Sequence, residues 1–126
     1  MGQTEVREYA VRAASTDTFG RVLASARNHY FVVDGPVQNG CPGEAITPGE
    51  LFLSGVACCG VELVQVLAKS KAIPLSGIAV DIQGSFDRSQ PVRPDLTLFN
   101  SVRLHFRMKG VTEQQGRLLV ESFKGR

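Results

Sequence analysis

Tryptophan is absent from this chain of 126 residues, histidine occurs only twice and cysteine three times. Cys41, Cys58 and Cys59 give neither an even disulfide framework nor a paired CxxC metal spacing, a pattern that suits a reducing compartment where thiols stay free. Charge of one sign is also lacking: the formal net charge is +2, with acids and bases interspersed. No basic stripe tracks a phosphate backbone, so no nucleic-acid partner is expected. Long apolar runs are missing as well. The longest, 51–61, ends at Glu62 and is shorter than a bilayer span, and no charged-then-apolar leader follows Met1. The expectation is a soluble cytoplasmic protein with no membrane partner. A hydrophobic content of 43% fits one domain, 1–126, able to bury a real though not generous core.

What is present falls into a clear order. The runs 4–13, 21–25 and 29–34 read as three short strands, the first two separated by the turn-like STDTFG. GPVQNGCPGEAI, with three glycines and two prolines, reads as a loop. Thr47, Pro48 and Glu50 then form a capping box that starts a helix, apolar around almost its whole circumference from Leu51 to Ala68. A lone sheet covers only one side of such a helix, so a second helix or a second subunit must cover the other. Strand alternation returns with Ile78, Val80, Ile82 and Phe86 on one face, and again with Leu96, Leu98, Val102, Leu104, Phe106 and Met108. Between them DRSQPVRPD is a turn, which makes a hairpin with one dry face. Thr112 with Gln115 starts a second capped helix carrying Leu118, Leu119 and Phe123. The fold class is α+β in the order β-β-β-α-β-β-α.

Cys58 and Cys59 stand in the first helix, about 100° apart, and cannot bridge each other without breaking it. Cys59 shares a face with Phe52, Val56, Leu63 and Val66. Periodicity alone reads both thiols as small core hydrophobes, inert because buried. A reactive Cys59 requires a nearby cation, for which Arg12, Arg21 and Arg27 are the candidates. His29 and His105 read as surface histidines rather than partners of the thiol. No phosphate-binding glycine spacing, metal site or cofactor is expected.

The run DGPVQNGCPGEAITPGELFLSGVACCGVELVQVLAKSKAIPLSGIAVDIQG resembles the OsmC/Ohr superfamily in its Gly-rich loop, its Pro-x-Glu-Leu helix start, a cysteine eleven residues after that proline and the following "PLSGIAV" phrase. The resemblance implies an intertwined homodimer with long helices buried centrally between sheets. It also implies thiol-dependent reduction of organic hydroperoxides in oxidative or osmotic stress defence, with Cys59 attacking the peroxide, an arginine activating it and an external thiol as reductant. Arg21, in "FGR", is the nearest match to that arginine, with Arg27 a rival.

Three departures accompany the likeness. Gly49 stands where enzymes of the Ohr type carry a glutamate that holds the arginine. The chain reaches Arg126 without the second helix's resolving cysteine or the closing strand, so it reads as C-terminally short relative to the family. Cys41 and Cys58 have no family role. These departures keep a second reading open, a non-catalytic OsmC-fold protein binding a small hydrophobic or acyl ligand at the dimer interface.

Overall fold

A computed structural model describes residues 5–95 and 99–125. Its elements are β1 (Arg12–Ser15), β2 (Arg21–Ala26), β3 (His29–Asp34), α1 (Pro48–Ser70), β4 (Gly77–Ser85), β5 (Ser101–Lys109) and α2 (Glu113–Lys124). This is the α+β order read from the sequence. Leu96 and Leu98, assigned above to the fifth strand, lie outside the described residues, as do Thr4 and Arg126. Two compact units divide the chain, Met1–Leu51 and Phe52–Arg126.

The first unit is the antiparallel sheet β1-β2-β3 and the loop after it. The first strand lies later than expected, at Arg12–Ser15 rather than 4–13. Among the described residues the alternation before it pairs with no strand, and Val6, Tyr9 and Val11 are exposed. At the turn into β2, Thr16 Oγ1 accepts from the backbone N–H of Thr18 at 3.2 Å, and the N–H of Arg21 donates to the Thr18 carbonyl at 3.0 Å. Arg27 and Asn28 join β2 to β3 with φ of 49° and 69°. Positive φ at both central residues gives a two-residue hairpin turn whose twist matches that of the strands. After β3 the loop closes on the strand ends: the Gly35 N–H donates to the Gly20 carbonyl at 2.8 Å, and the Asp34 N–H to the Ile46 carbonyl at 3.0 Å.

The start of α1 is the expected capping box. The Glu50 N–H donates to Thr47 Oγ1 at 3.4 Å, while the Thr47 N–H and hydroxyl both donate to Glu50 Oε1 at 3.0 Å. These bonds favour the charged carboxylate and hold the Glu50 pKa below its ordinary value, the backbone bond contributing most.

In the second unit β4 and β5 pair in antiparallel register, with Ile78 opposite Met108, Val80 opposite Phe106 and Ile82 opposite Leu104. These are the dry-face residues, while Asp81, His105 and Arg107 face water. Val64, Leu67 and Ala68 of α1 and Leu119 of α2 form the buried core, with Phe106, Met108 and Phe123 packed against it. Gly60 is buried where α1 crosses the sheet; a Cβ there would meet the Phe106 ring at 3.4 Å. Thr112 caps α2 through a second capping box, its hydroxyl accepting from the Gln115 N–H at 3.1 Å. Leu119 and Phe123 turn inward, but Leu118, one residue and about 100° away, is exposed.

By length and composition α1 could cross a membrane, which corrects the shorter span read from the sequence, because the helix continues through Glu62. A span would place that carboxylate near the bilayer centre, at a cost of several kcal/mol.

Candidate functional site

The exposed side of α1 is a stripe. Phe52, Gly55, Cys59, Glu62 and Val66 are all exposed, and their spacing of three and four residues puts them on one helix face. Cys58 is also exposed, on the adjacent flank. This corrects the reading of both thiols as core residues. Apolar neighbours in the sequence marked the helix as needing cover, but among the described residues the buried side of α1 is that of Gly60, Val64, Leu67 and Ala68. Phe52 is 58% exposed and Val66 46%. Cys59 therefore stands as an accessible sulfur in an otherwise largely apolar strip, with Glu62 the only charge. α2, over its described residues, carries no cysteine.

Arg21, the candidate activator, belongs to the first unit and opens β2. Asp34, the last residue of β3, is its register partner. Arg21 Nε donates to Asp34 Oδ1 at 2.8 Å and Nη2 to Oδ2 at 2.9 Å, the bidentate fork that guanidinium and carboxylate geometry favour. Nη2 also donates to Glu44 Oε1 at 2.7 Å. Asp34 is fully buried, and its Oδ2 accepts two further bonds, from the backbone N–H groups of Glu44 at 2.9 Å and Ala45 at 2.8 Å. The Arg21 hydrogen bonds, helped by these backbone donors, hold the Asp34 carboxyl well below the usual carboxylate range against the opposing effect of burial. Asp34 and then Glu44 raise the Arg21 pKa above its ordinary value.

Cys41 sits beside this cluster. A Cβ at Gly20 or at Gly35 would lie 2.5 Å from its sulfur, so the thiol occupies the notch left by the glycine before Arg21 and the glycine after Asp34. Both glycines are needed for that close approach. Among the described residues the side chains of Arg12 and Arg27 make no hydrogen bond or ion pair. His29 and His105 are exposed.

Asp34 and Glu44 were not found by sequence reasoning. The available signal was an acidic residue ending the apolar strand HYFVVD, directly before a glycine. The partners, however, are 13 and 23 residues from Arg21, beyond what local patterning reads.

An open groove of about 450 Å³ runs between β5 and α2 with Phe106, Met108 and Val111 on its floor. The charges on its rim include Glu113 and Arg117, which pair with each other.

A helix start of this form, an accessible cysteine on the long helix and the two-part β-β-β-α-β-β-α order define an OsmC-type protein. The family model for OsmC-like protein matches residues 41–124, and the chain belongs to that family. Among solved structures, an OsmC-like protein from Mycoplasma pneumoniae is 17% identical with a TM-score of 0.79, over 95% of this chain and 82% of the other. An organic hydroperoxide resistance protein OsmC from Legionella pneumophila is 19% identical with a TM-score of 0.74, over 97% and 85%. An organic hydroperoxide resistance protein from Elizabethkingia anophelis is 19% identical with a TM-score of 0.73, over 98% and 85%. These likenesses show the fold. No curated protein matches in sequence.

Proposed function

We propose that this OsmC-family chain, 1–126 acting as a single domain, reduces organic hydroperoxides in the cytoplasm as a homodimer. Cys59 is the nucleophile and Arg21 its positive partner. The observation that carries this reading is the accessible Cys59 sulfur on an apolar helix face, eleven residues after Pro48. Relatives of the same fold bear the name of organic hydroperoxide resistance. Arg21 is preferred over Arg12 and Arg27 because carboxylates fix its guanidinium, and a fixed donor loses little freedom on meeting an anion.

In the proposed reaction the Cys59 thiolate attacks the terminal peroxide oxygen. An S–O bond forms, the O–O bond breaks, and the alkoxide takes a proton to leave as alcohol; sulfur is oxidised by two electrons and becomes a sulfenic acid. An external thiol then attacks the sulfenic sulfur, releasing water and leaving a mixed disulfide. A second thiol reopens it to regenerate Cys59. Cys58 is not a resolving partner within the same helix, since neighbouring helical residues point about 100° apart.

A second reading, a non-catalytic protein holding a small hydrophobic or acyl ligand at the dimer interface, is favoured by one observation. Two carboxylates already engage the one guanidinium, which weakens its pull on a thiolate. Treatment with an organic hydroperoxide, followed by intact-mass and peptide analysis, separates the two. Oxygen addition or thiol-adduct formation at Cys59, abolished in Cys59→Ser, is expected of the enzyme; a Cys59 that stays reduced while Cys41 oxidises defeats it.

A further inference from the structure

Peroxide reduction at Cys59 leaves a strongly basic alkoxide, and the proton it takes has to come from a group beside the sulfur. On the exposed stripe of α1, Phe52, Gly55 and Val66 have no side-chain proton to give, whereas Glu62 can take one up and release it. The helix itself sets its placement. Residues three apart bring their Cβ atoms to about 5–6 Å, and helical side chains lean toward the N-terminus, over the turn that precedes them. Glu62 therefore leans over Cys59, and both belong to one helix and one compact unit. The carboxylate is also uncommitted. Asp81, Asp95, Glu113 and Glu121 of the same unit each engage a cation, and Asp87 accepts from Ser89. Among the described residues the Glu62 side chain makes no hydrogen bond or ion pair.

We infer that Glu62 is the proton relay of Cys59: its carboxylate takes the thiol proton and, as the acid, hands that proton to the departing alkoxide. The inference rests on the reading that Cys59 attacks a hydroperoxide. Moving the proton from sulfur to carboxylate gives a thiolate beside a carboxylic acid, so two negative charges never face each other. As the sulfur attacks the terminal oxygen, the S–O bond forms and the O–O bond breaks. The carboxylic acid then protonates the alkoxide, leaving a sulfenic acid, an alcohol and an ionised Glu62. Sulfur has lost two electrons to the peroxide, and no outside acid or base is consumed.

The test uses the full chain carrying Cys41→Ser and Cys58→Ser, so that Cys59 is its one thiol. Two oxidants deliver the same oxygen to sulfur but differ in what departs. tert-Butyl hydroperoxide expels an alkoxide that needs a proton, and peracetic acid expels acetate, which does not. Loss of the thiol is followed by stopped flow near neutral pH. Glu62→Gln is expected to slow oxidation by tert-butyl hydroperoxide about a hundred-fold, the usual effect of one positioned acid, and to change the peracetic acid rate far less. Glu62→Ala should behave alike, with circular dichroism and sedimentation establishing that fold and assembly are kept. If the substitutions change both rates equally, or neither, while Cys59 of the parent chain outpaces free cysteine toward tert-butyl hydroperoxide, the relay is overturned and the peroxidase reading stands. A parent Cys59 no faster than free cysteine toward that hydroperoxide overturns both.

Discussion

Arg21 and Asp34 stand directly opposite each other where β2 begins and β3 ends, joined by two parallel N–H···O bonds of 2.8 and 2.9 Å. The antiparallel register sets their separation, and the loop that folds back supplies two backbone N–H groups to the same carboxylate. A buried carboxylate left without such partners is strongly destabilising. The pair therefore ties three separate stretches of the first unit, the start of β2, the end of β3 and the loop at Glu44–Ala45, through one side chain.

Acid should undo this tie. Because the folded-state pKa of Asp34 is depressed, its contribution is fully present above the unfolded value of about 3.9 and is lost as pH falls toward the folded value. Thermal unfolding followed from pH 7 to pH 2 is expected to show the melting temperature dropping below about pH 4. Asp34→Asn should melt at least about 5 °C lower at pH 7 and lose most of the acid slope. Glu50 and Asp87, whose pKa values are also lowered, supply the remainder. An Asn variant with the full wild-type acid slope would place the acid sensitivity elsewhere.

Neighbouring leucines on α2 should respond oppositely to truncation. Leu119 is 0% exposed in the core with Val64 and Leu67, whereas Leu118 is 49% exposed. Leu119→Ala is expected to cost about 2–5 kcal/mol and Leu118→Ala less than about 1 kcal/mol, read from denaturant midpoints at constant slope. Comparable losses at both positions would mean that Leu118 is covered in solution by another surface.

The sequence was most readable where structure is set by near neighbours. Thr47 with Glu50 and Thr112 with Gln115 marked both helix starts, since each capping box closes over three residues. β4 and β5 were legible because one wet and one dry face impose strict alternation. The first strand was misplaced because alternation alone does not reveal which residues find a partner. The runs 21–25 and 29–34 bracketed the Arg27–Asn28 turn, but its left-handed backbone was not legible, because an arginine at positive φ leaves little compositional trace. The cluster around Asp34 joins residues distant in sequence. For Cys58 and Cys59, apolar surroundings in the sequence established that α1 needs cover, and nothing local established which side the chain itself would cover.

The three thiols should differ in reactivity for steric reasons. Cys41 is half-buried between Gly20 and Gly35, while Cys58 and Cys59 are exposed. Under native conditions an uncharged thiol reagent in modest excess is expected to modify Cys41 at least about ten-fold more slowly than the two helix thiols, with the difference vanishing in denaturant. Rapid native labelling of Cys41 would show that the loop opens readily. Gly20→Ala should expose the same thiol, because the added methyl enters the volume its sulfur fills and φ at that position is 81°.

The stripe on α1 bears on the proposed homodimer. Phe52 and Val66 lie at its two ends, Cys59 near its middle, and the chain leaves all three accessible. Covering this strip with a second copy removes apolar area from water, and a second carboxylate at position 66, one turn from Glu62, would add like-charge repulsion and a desolvation cost. Val66→Glu is therefore expected to convert a dimer into a monomer, seen as a halved mass by sedimentation or light scattering at micromolar concentration, while its helical circular dichroism persists. Val66→Leu, which keeps the surface apolar, should remain dimeric. A Glu variant that stays dimeric would move the interface away from this face of α1, and a wild-type chain that is already monomeric would leave Cys59 in open solvent and remove the apolar setting on which the proposed peroxide chemistry depends.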